Sequence, residues 1–443
     1  MHWDTGIGSW DLSEPLYLGI LNLTPDSFSD GGRFLDPEAA LAHAHHLAAS
    51  GAGWLDVGAE STRPGATPLP PKVEWERLEP ILERFQQTAY PIPLSLDTRH
   101  AEVAARGLAR GVAALNDVTG FSDPALLEIA RRSTCGLIAM RSRREGETFV
   151  MPPYDGPGLG DPTIWIDELK AIRDRLLGAG IAPERILLDP GFGFGTTYAD
   201  DRALWELLPE LPERLDWPKE RFCLGLSRKR FVAWQAGDPT CPPSERDAAT
   251  EDLQAQAFRM GYRVFRTHRL PTPRIRKGQV ADVPSVARVQ AAALQAAYRG
   301  ILSAPQLAAL TPAHLEAPLM RFLAEADPTT MGLWVLERGG HVLGFVVAGP
   351  ASVSDPMGTG ELYALHVHPS VWHRGHGRAL LRFALDHLRA LGHPQARLWV
   401  AERNARARRF YEALGWEADG ATRTMWESGI ALRECSYRHR LAS

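Results

Sequence analysis

Cysteine is scarce in this chain, and its four residues, Cys135, Cys223, Cys241 and Cys435, lie far apart with no Cys-x-x-Cys pair among them. A disulfide framework and a thiolate metal site are therefore both disfavoured, and a reducing, cytoplasmic setting is expected. Long apolar runs are missing as well. No stretch approaches the roughly 18 charge-free residues of a membrane span. Asp4, Asp11 and Glu14 interrupt the region where a secretion signal carries its apolar core. Neither sign of charge dominates: 49 Lys and Arg stand against 53 Asp and Glu, a net charge of −4. That balance argues against a large nucleic-acid footprint, though a local basic loop is compatible with it.

What is present is the composition of a folded globular chain, 44% hydrophobic and 23% charged, in 443 residues. That length exceeds one ordinary core and points to two or three domains. Over the first 270 residues, short apolar runs recur: LYLGILN (16–22), GWLDVG (53–58), PLSLDT (93–98), VAALNDV (112–118), GLIAMR (136–141), RILLDPG (185–191), FCLGLS (222–227) and YRVFRTH (262–268). Amphipathic stretches of helical period separate them. Continuous apolar runs alternating with helices indicate parallel strands buried on both faces, and eight such units match the size of a (β/α)₈ barrel. Asn22, Asp56, Asp97, Asn116, Arg141, Asp189, Ser227 and Arg266 each fall at or just past a strand's C-terminal end, the face on which this fold builds its active site. Capping or turn formation explains any one of these positions about as well. It is a poor account of all eight.

Two loops are more specific. The first reads Asn22-Leu-Thr-Pro-Asp-Ser-Phe28-Ser-Asp-Gly-Gly32, and the second Glu60-Ser-Thr62-Arg63-Pro64-Gly-Ala66. Together with LLDPGFGFG (187–195) and GLSRK (225–229), they resemble the signature motifs of dihydropteroate synthases, a similarity that covers residues 15–270. The resemblance implies condensation of 6-hydroxymethyl-7,8-dihydropterin diphosphate with 4-aminobenzoate, releasing diphosphate. It places Asp97, Asn116 and Asp189 on the pterin ring, whose edge of N–H donors suits carboxylates and an amide. It places Lys229 between the pterin and aminobenzoate sites, Met140 against the pterin, and Asn22 on Mg²⁺, which prefers oxygen ligands. Arg63, with Arg266 and His268 as an Arg-x-His pair, would hold the diphosphate, and Phe28, Thr62, Pro64 and Phe194 would wall the aminobenzoate pocket. Asp56 either orients this region or is purely structural. Lys229, Arg63 and Asp97 are the expected catalytic groups of this half.

Two departures stand out. The family commonly has Met-His after the fifth strand, whereas this chain has Met140-Arg141, a cation able to alter the pocket's rim. The eighth helix is also missing from its place, because Arg269-Leu-Pro-Thr-Pro-Arg274 excludes an immediate helix. Either VPSVARVQAAALQAAY (283–298) closes the barrel or it opens the next domain.

Beyond residue 272 the pattern changes. GLWVLERGGHVLGFVVAGP (332–350) reads as a hairpin around Gly339-Gly340. ELYALHVHP (361–369) reads as a strand running into a Gly-rich turn and a helix, which exposes backbone N–H groups to a diphosphate. Arg374-Gly375-x-Gly377-Arg378-Ala379, with RLWVAERNARARRFYEALGWEADG (397–420), resembles the acetyl-CoA site and closing segment of GNAT acetyltransferases. The resemblance assigns acetyl-CoA to Val367, Arg374, Gly375, Gly377, Arg378, Ala379 and Asn404, and sets Tyr411 where a phenol can protonate the departing thiolate. Glu361, His366 and His368 are candidate bases for the acceptor amine, which the sequence does not identify; the fusion invites an aromatic amine.

The expected architecture is thus α/β: a (β/α)₈ TIM barrel over residues 1–272 that binds a pterin, then a mixed α/β GNAT acyl-CoA N-acyltransferase domain over 273–443. The expected partners are small molecules, with no nucleic acid and no membrane, and a homodimer through the barrel helices. A methyltetrahydrofolate-type pterin methyltransferase is disfavoured, having no need of the Ser-Thr-Arg-Pro loop or the Arg-x-His pair. The remaining alternative is an active acetyltransferase whose barrel is a non-catalytic pterin-binding or scaffolding module.

Overall fold

The computed structural model describes residues 1–24, 36–60, 68–146, 148–150, 152–161, 163–351, 358–427 and 430–441. The chain divides into two compact units, Met1–Pro271 and Thr272–Ser443. No helix among the described residues is long and apolar enough to cross a membrane.

The first unit opens with a hairpin, β1 (His2–Thr5) and β2 (Gly8–Asp11). The barrel follows in alternation: β3 (Leu16–Asn22), α1 (Pro37–Ser50), β4 (Trp54–Gly58), α2 (Pro71–Gln87), β5 (Leu94–Asp97), α3 (Ala101–Ala109), β6 (Ala114–Asp117), α4 (Pro124–Arg132) and β7 (Gly136–Met140). A small hairpin, β8 (Arg144–Glu145) and β9 (Thr148–Phe149), precedes α5 (Thr163–Gly178) and β10 (Ile186–Asp189). Then come α6 (Tyr198–Leu207), α7 (Leu211–Leu215), β11 (Cys223–Leu224), α8 (Arg230–Gln235), α9 (Asp247–Met260) and β12 (Val264–Thr267). The eight parallel strands run β10-β7-β6-β5-β4-β3-β12-β11. A parallel bridge from Leu188 to Phe222 joins the two ends of that row.

Strand side chains alternate between the barrel interior and the helix layer. Leu16, Leu18, Trp54, Ala114, Ile138, Leu187, Cys223 and Val264 fill the interior, and Trp3 of the hairpin plugs its N-terminal end, its ring tilted 45° to that of Trp54 at 4.7 Å. Tyr17, Leu55, Leu96, Leu115, Leu137, Leu188, Leu224 and Phe265 belong to the core beneath the helices. Continuing the inward parity brings Asn22, Asp56, Asp97, Asn116, Met140, Asp189, Ser227 and Arg266 to the C-terminal mouth. Arg141 has the outward parity.

No helix follows β12 before the unit ends. The second unit runs β13 (Arg274–Lys277), α10 (Val283–Ala297), α11 (Ala304–Ala309), α12 (Pro312–Glu325), β14 (Gly332–Arg338), β15 (His341–Pro350), β16 (Thr359–Val367), α13 (His376–Ala390), β17 (Gln395–Ala401), α14 (Ala405–Glu412), β18 (Glu417–Glu427) and β19 (Ile430–Arg440). The open question about residues 283–298 resolves here: α10 packs through Val286, Val289 and Leu294 with α12 and the sheet of this unit. The sheet order is β13-β14-β15-β16-β17-β19-β18. All neighbours are antiparallel except β16 and β17. Gly339 and Gly340, at φ +54° and +81°, form the β14–β15 turn. The parallel pairing of β16 with β17 stops at Leu362 opposite Leu398, while β16 continues to Val367. The two strands part there, and the opening is the second unit's cleft.

Candidate active sites

At the barrel mouth, Asp56 is a hub. Ser95 Oγ and Arg266 Nε donate to its carboxylate, and Asn116 Nδ2 donates to Oδ2 at 3.1 Å. Arg266 Nη2 donates to Asp97 Oδ2, so side chains from β4, β5, β6 and β12 are laced together. Burial raises the Asp97 pKa well above the ordinary carboxylate range, outweighing the pull of the Arg266 charge.

Asp189 and Lys229 form the other side. Gly191 N–H donates to Asp189 Oδ1 at 2.8 Å. A Cβ on Gly225 would stand 3.2 Å from Asp189 Oδ2 and 3.6 Å from Lys229 Nζ, so carboxylate and ammonium share the space that glycine leaves. Burial raises the pKa of Asp189, with Lys229 and Arg266 drawing it down. Burial lowers that of Lys229 to about 8 against the attraction of Asp189 and Asp201. Lys229 Nζ donates to the Phe192 carbonyl at 2.6 Å and lies 4.6 Å from the centre of the Phe194 ring. The lysine is aimed by its neighbour: Arg228 is left-handed, φ +59°, and is held there by a two-point pair to Asp247 at 2.7 and 3.0 Å.

The DPGFGFG loop turns on glycines. Gly191, Gly193 and Gly195 all have φ between +74° and +77°. Asp201, fully buried, accepts from Gly193 N–H at 2.9 Å and from Tyr154 OH at 2.8 Å, pinning the loop from beneath. His268 sits with its backbone N–H and Nδ1 each 3.1 Å from Ser227 Oγ. Met140 is buried, and Asn22 ends β3 half-buried, level with Gly58. Phe28, Thr62, Arg63 and Pro64 lie outside the described residues.

Arg141 departs from its expected place at the pocket rim. Its outward parity carries it to α5, where Nε donates to Glu168 Oε2 at 2.5 Å with only 1% of the side chain exposed. Ser95, Asp201 and Tyr154 were not singled out in the sequence. Ser95 shares the inward parity of Asp97, which was the available signal; nothing local marks the other two.

In the second unit, a cavity of about 1040 Å³ occupies the cleft between β16 and β17. On one side it is lined by Val367, Gly375, Gly377, Arg378, Asn404, Phe410 and Tyr411. Gly375 is left-handed at φ +83° and starts α13, whose first N–H groups are unpaired within the helix. A Cβ on Gly377 would already touch the Phe410 ring at 3.4 Å, so a larger side chain there would intrude on the cavity. Arg374 and Ala379 flank this lining without belonging to it. Asn404 caps α14, accepting from Ala407 N–H at 3.1 Å. Tyr411 packs edge-on against Phe410 at 5.2 Å, and burial raises its pKa, so the phenol keeps its proton at neutral pH. His366 lines the cavity with its pKa lowered by burial to about 4, and Glu361 lines it in a 3.0 Å pair with Arg397. His368 is half-buried, its Nδ1 2.7 Å from Ser370 Oγ, and is not among the lining residues.

Residues 18–268, more than half the chain, match the family described as pterin binding enzymes, and residues 298–416 match the GNAT acetyltransferase family. The chain belongs to the pterin-binding enzyme family and carries a GNAT acetyltransferase domain after it. Among individual proteins it is similar to dihydropteroate synthases. That of Neisseria meningitidis serogroup C is 36% identical over 269 residues, covering 60% of this chain and 92% of the relative. That of Mycobacterium leprae is 36% identical, covering 57% and 87%. Among solved structures, a Yersinia pestis dihydropteroate synthase in complex with a sulfonamide drug superposes with a TM-score of 0.55 at 33% identity, covering 61% and 94%. The Xanthomonas albilineans enzyme with 4-aminobenzoic acid gives 0.51 at 37% identity, covering 59% and 89%.

Proposed function

We propose that the barrel joins 4-aminobenzoate to 6-hydroxymethyl-7,8-dihydropterin diphosphate, and that the second unit moves an acetyl group from acetyl-CoA to an amine. The convergence of Asp97, Asn116, Asp189 and Lys229 at one mouth carries the first reading. Asp97, Asn116 and Asp189 would accept or pair with the polar edge of the pterin. Lys229, which donates to a loop carbonyl and rests on Phe194, would lie between the pterin and its aromatic partner. In the reaction the aminobenzoate nitrogen forms a bond to the pterin's exocyclic methylene carbon, the carbon–oxygen bond to diphosphate breaks with its electron pair leaving on oxygen, and the nitrogen sheds a proton. Arg63, Arg266 and His268 are assigned to the diphosphate, with Phe28, Thr62 and Pro64 at the aminobenzoate end. Asn22 supplies one amide oxygen at the rim, which fits a Mg²⁺ that takes its other ligands from water and phosphate; the ion would offset charge on the leaving group.

For acetyl transfer, the N–H groups opening α13 suit the cofactor diphosphate. The edge of β16 beyond Leu362, where its pairing with β17 has ended, suits its amide-bearing arm. The acceptor nitrogen attacks the thioester carbonyl and sheds a proton, and the thiolate leaves with one from Tyr411, whose phenol is then reprotonated from solvent. The cytoplasm is the setting we propose, with a homodimer through the barrel helices as the resemblance implies. The test is diphosphate release by the whole chain. Release that requires 4-aminobenzoate supports the synthase, while pterin binding without release would leave the barrel a scaffold.

A further inference from the structure

We propose that the acceptor of the acetyl group is an amine that carries its own carboxylate, seated on the cleft wall formed by β17, β19 and β18; this rests on the acetyltransferase reading above. The wall opposite the cofactor lining is unusual for a sheet face. Along β17, Leu398 and Val400 pack into the core shared with α13, while Arg397 and Trp399 alternate to the other side and line the cavity. On the sheet's other half that face is apolar, with Val335, Phe345 and Val347 under α10 and α12. Over the cleft it carries two ion pairs instead. Arg397 Nη2 donates to Glu361 Oε2 at 3.0 Å, and Arg423 Nε donates to Glu434 Oε2 at 2.7 Å. Both guanidinium groups lie against the Trp399 indole, 5.0 and 4.5 Å from its ring centre.

An ion pair taken out of water, as Arg397–Glu361 is, stabilises a fold poorly compared with apolar residues of similar volume, and a half-exposed one such as Arg423–Glu434 contributes little, so the two lining a cavity point to recognition. Their charges also select. A polyamine would meet two guanidinium groups, and the carboxylates that might attract it are already paired. An uncharged arylamine would use Trp399 and leave the charges without a task. An amino carboxylate uses all of them. Arg423 is the accessible cation: 40% of its side chain is exposed, against 11% for Arg397. Its Nη2 is directed at the Met425 thioether at 3.6 Å, a weak acceptor that a carboxylate oxygen would replace with advantage. The carbon skeleton of the acceptor then lies along Trp399, and its nitrogen faces Glu361 and the neutral His366 deeper in the cleft. The nitrogen gains the acetyl carbon and loses a proton, and the coenzyme sulfur leaves as the thiol.

The experiment uses the full-length protein with acetyl-CoA, following thiol release and product mass. The acceptors are amino carboxylates (phenylalanine, 4-aminobenzoate, 4-aminobutyrate), the carboxamide of each, and spermidine. An amino carboxylate is expected to have a KM at least roughly tenfold below that of its carboxamide, the scale of one charge-assisted hydrogen bond at a half-exposed site. Arg423→Gln is expected to raise the KM of the amino carboxylate to that of its carboxamide while leaving acetyl-CoA affinity unchanged. Equal use of carboxamides, preference for spermidine, or an Arg423→Gln effect of equal size on both partners overturns the proposal. Calorimetry with acetyl-CoA separates the failures. A full chain that binds no acetyl-CoA sinks the acetyltransferase reading itself, whereas one that binds it but acetylates no amino carboxylate sinks this inference alone.

Discussion

Burial acts on Lys229 and Asp97 in opposite senses, disfavouring the charge on each: the lysine's pKa falls to about 8 and the aspartate's rises. In the synthase reading proposed above both act charged, Lys229 as a donor and Asp97 as an acceptor. As pH falls through the raised Asp97 value, the carboxylate protonates and activity declines. As pH rises through about 8, the lysine loses its proton and activity declines again. The expected kcat/KM profile for the pterin diphosphate is therefore a bell with a narrow plateau. Lys229→Arg should remove the alkaline limb at the cost of a lower maximum, since a guanidinium stays charged to about pH 12 or beyond; an alkaline limb still near pH 8 in that variant would assign it elsewhere. The residues themselves were legible early. A polar group closing an apolar run at a strand end needs only the period of two to be aimed inward, and that period separates Asp97 and Asn116 from Arg141. By residue type, the departure from Met-His points Arg141 to the pocket rim; by parity, the side chain turns outward to α5. Asp201 and Tyr154 escaped notice because their meeting under Gly193 joins positions 47 residues apart, with no local pattern to announce it.

Among the elements, the DPGFGFG loop allows a sharper contrast. Gly191 and Gly193 share the left-handed conformation, but a Cβ on Gly191 would run into the Arg141 carbonyl oxygen, whereas one on Gly193 would stand 3.5 Å from Lys229 Cδ. Backbone strain alone, on the order of 1–3 kcal/mol, applies to alanine at either site. Displacement of the loop applies only to the first. Gly191→Ala should therefore cost about a hundredfold in synthase kcat, the scale of a misplacement of roughly 1 Å, while Gly193→Ala mainly lowers thermal stability. Steady-state rates and melting of both variants check this; equal kinetic losses would mean the Arg141 contact is relaxed. At this scale the turn glycines and the strand–helix alternation were readable from composition and period. The parting of β16 from β17 was not: it follows from where parallel pairing ends and from the register shift between Val347 and Ala348 on the neighbouring strand. Neither leaves a mark on local residue choice. The one charge inside β17, Arg397, was the available hint that this strand is not buried on both faces.

For the molecule as a whole, the barrel's two apolar clusters and the two of the second unit have no residue in common. Each unit therefore has the means to unfold cooperatively by itself, and α10 supports this, since it follows Pro271 in the chain and contributes its apolar side chains to the second core. Calorimetry of the full chain should then show two transitions. A ligand that binds one native unit stabilises that unit alone, by about 2.7 kcal/mol when present at roughly 100 times its Kd. Acetyl-CoA should thus raise one transition by several degrees and leave the other in place, and a pterin analogue should move the other. Gly377→Trp, which fills the space beside Phe410, should abolish the acetyl-CoA shift without touching the pterin one. A single transition moved by either ligand would show instead that the two units share their stability, and their activities would then have to be read as coupled.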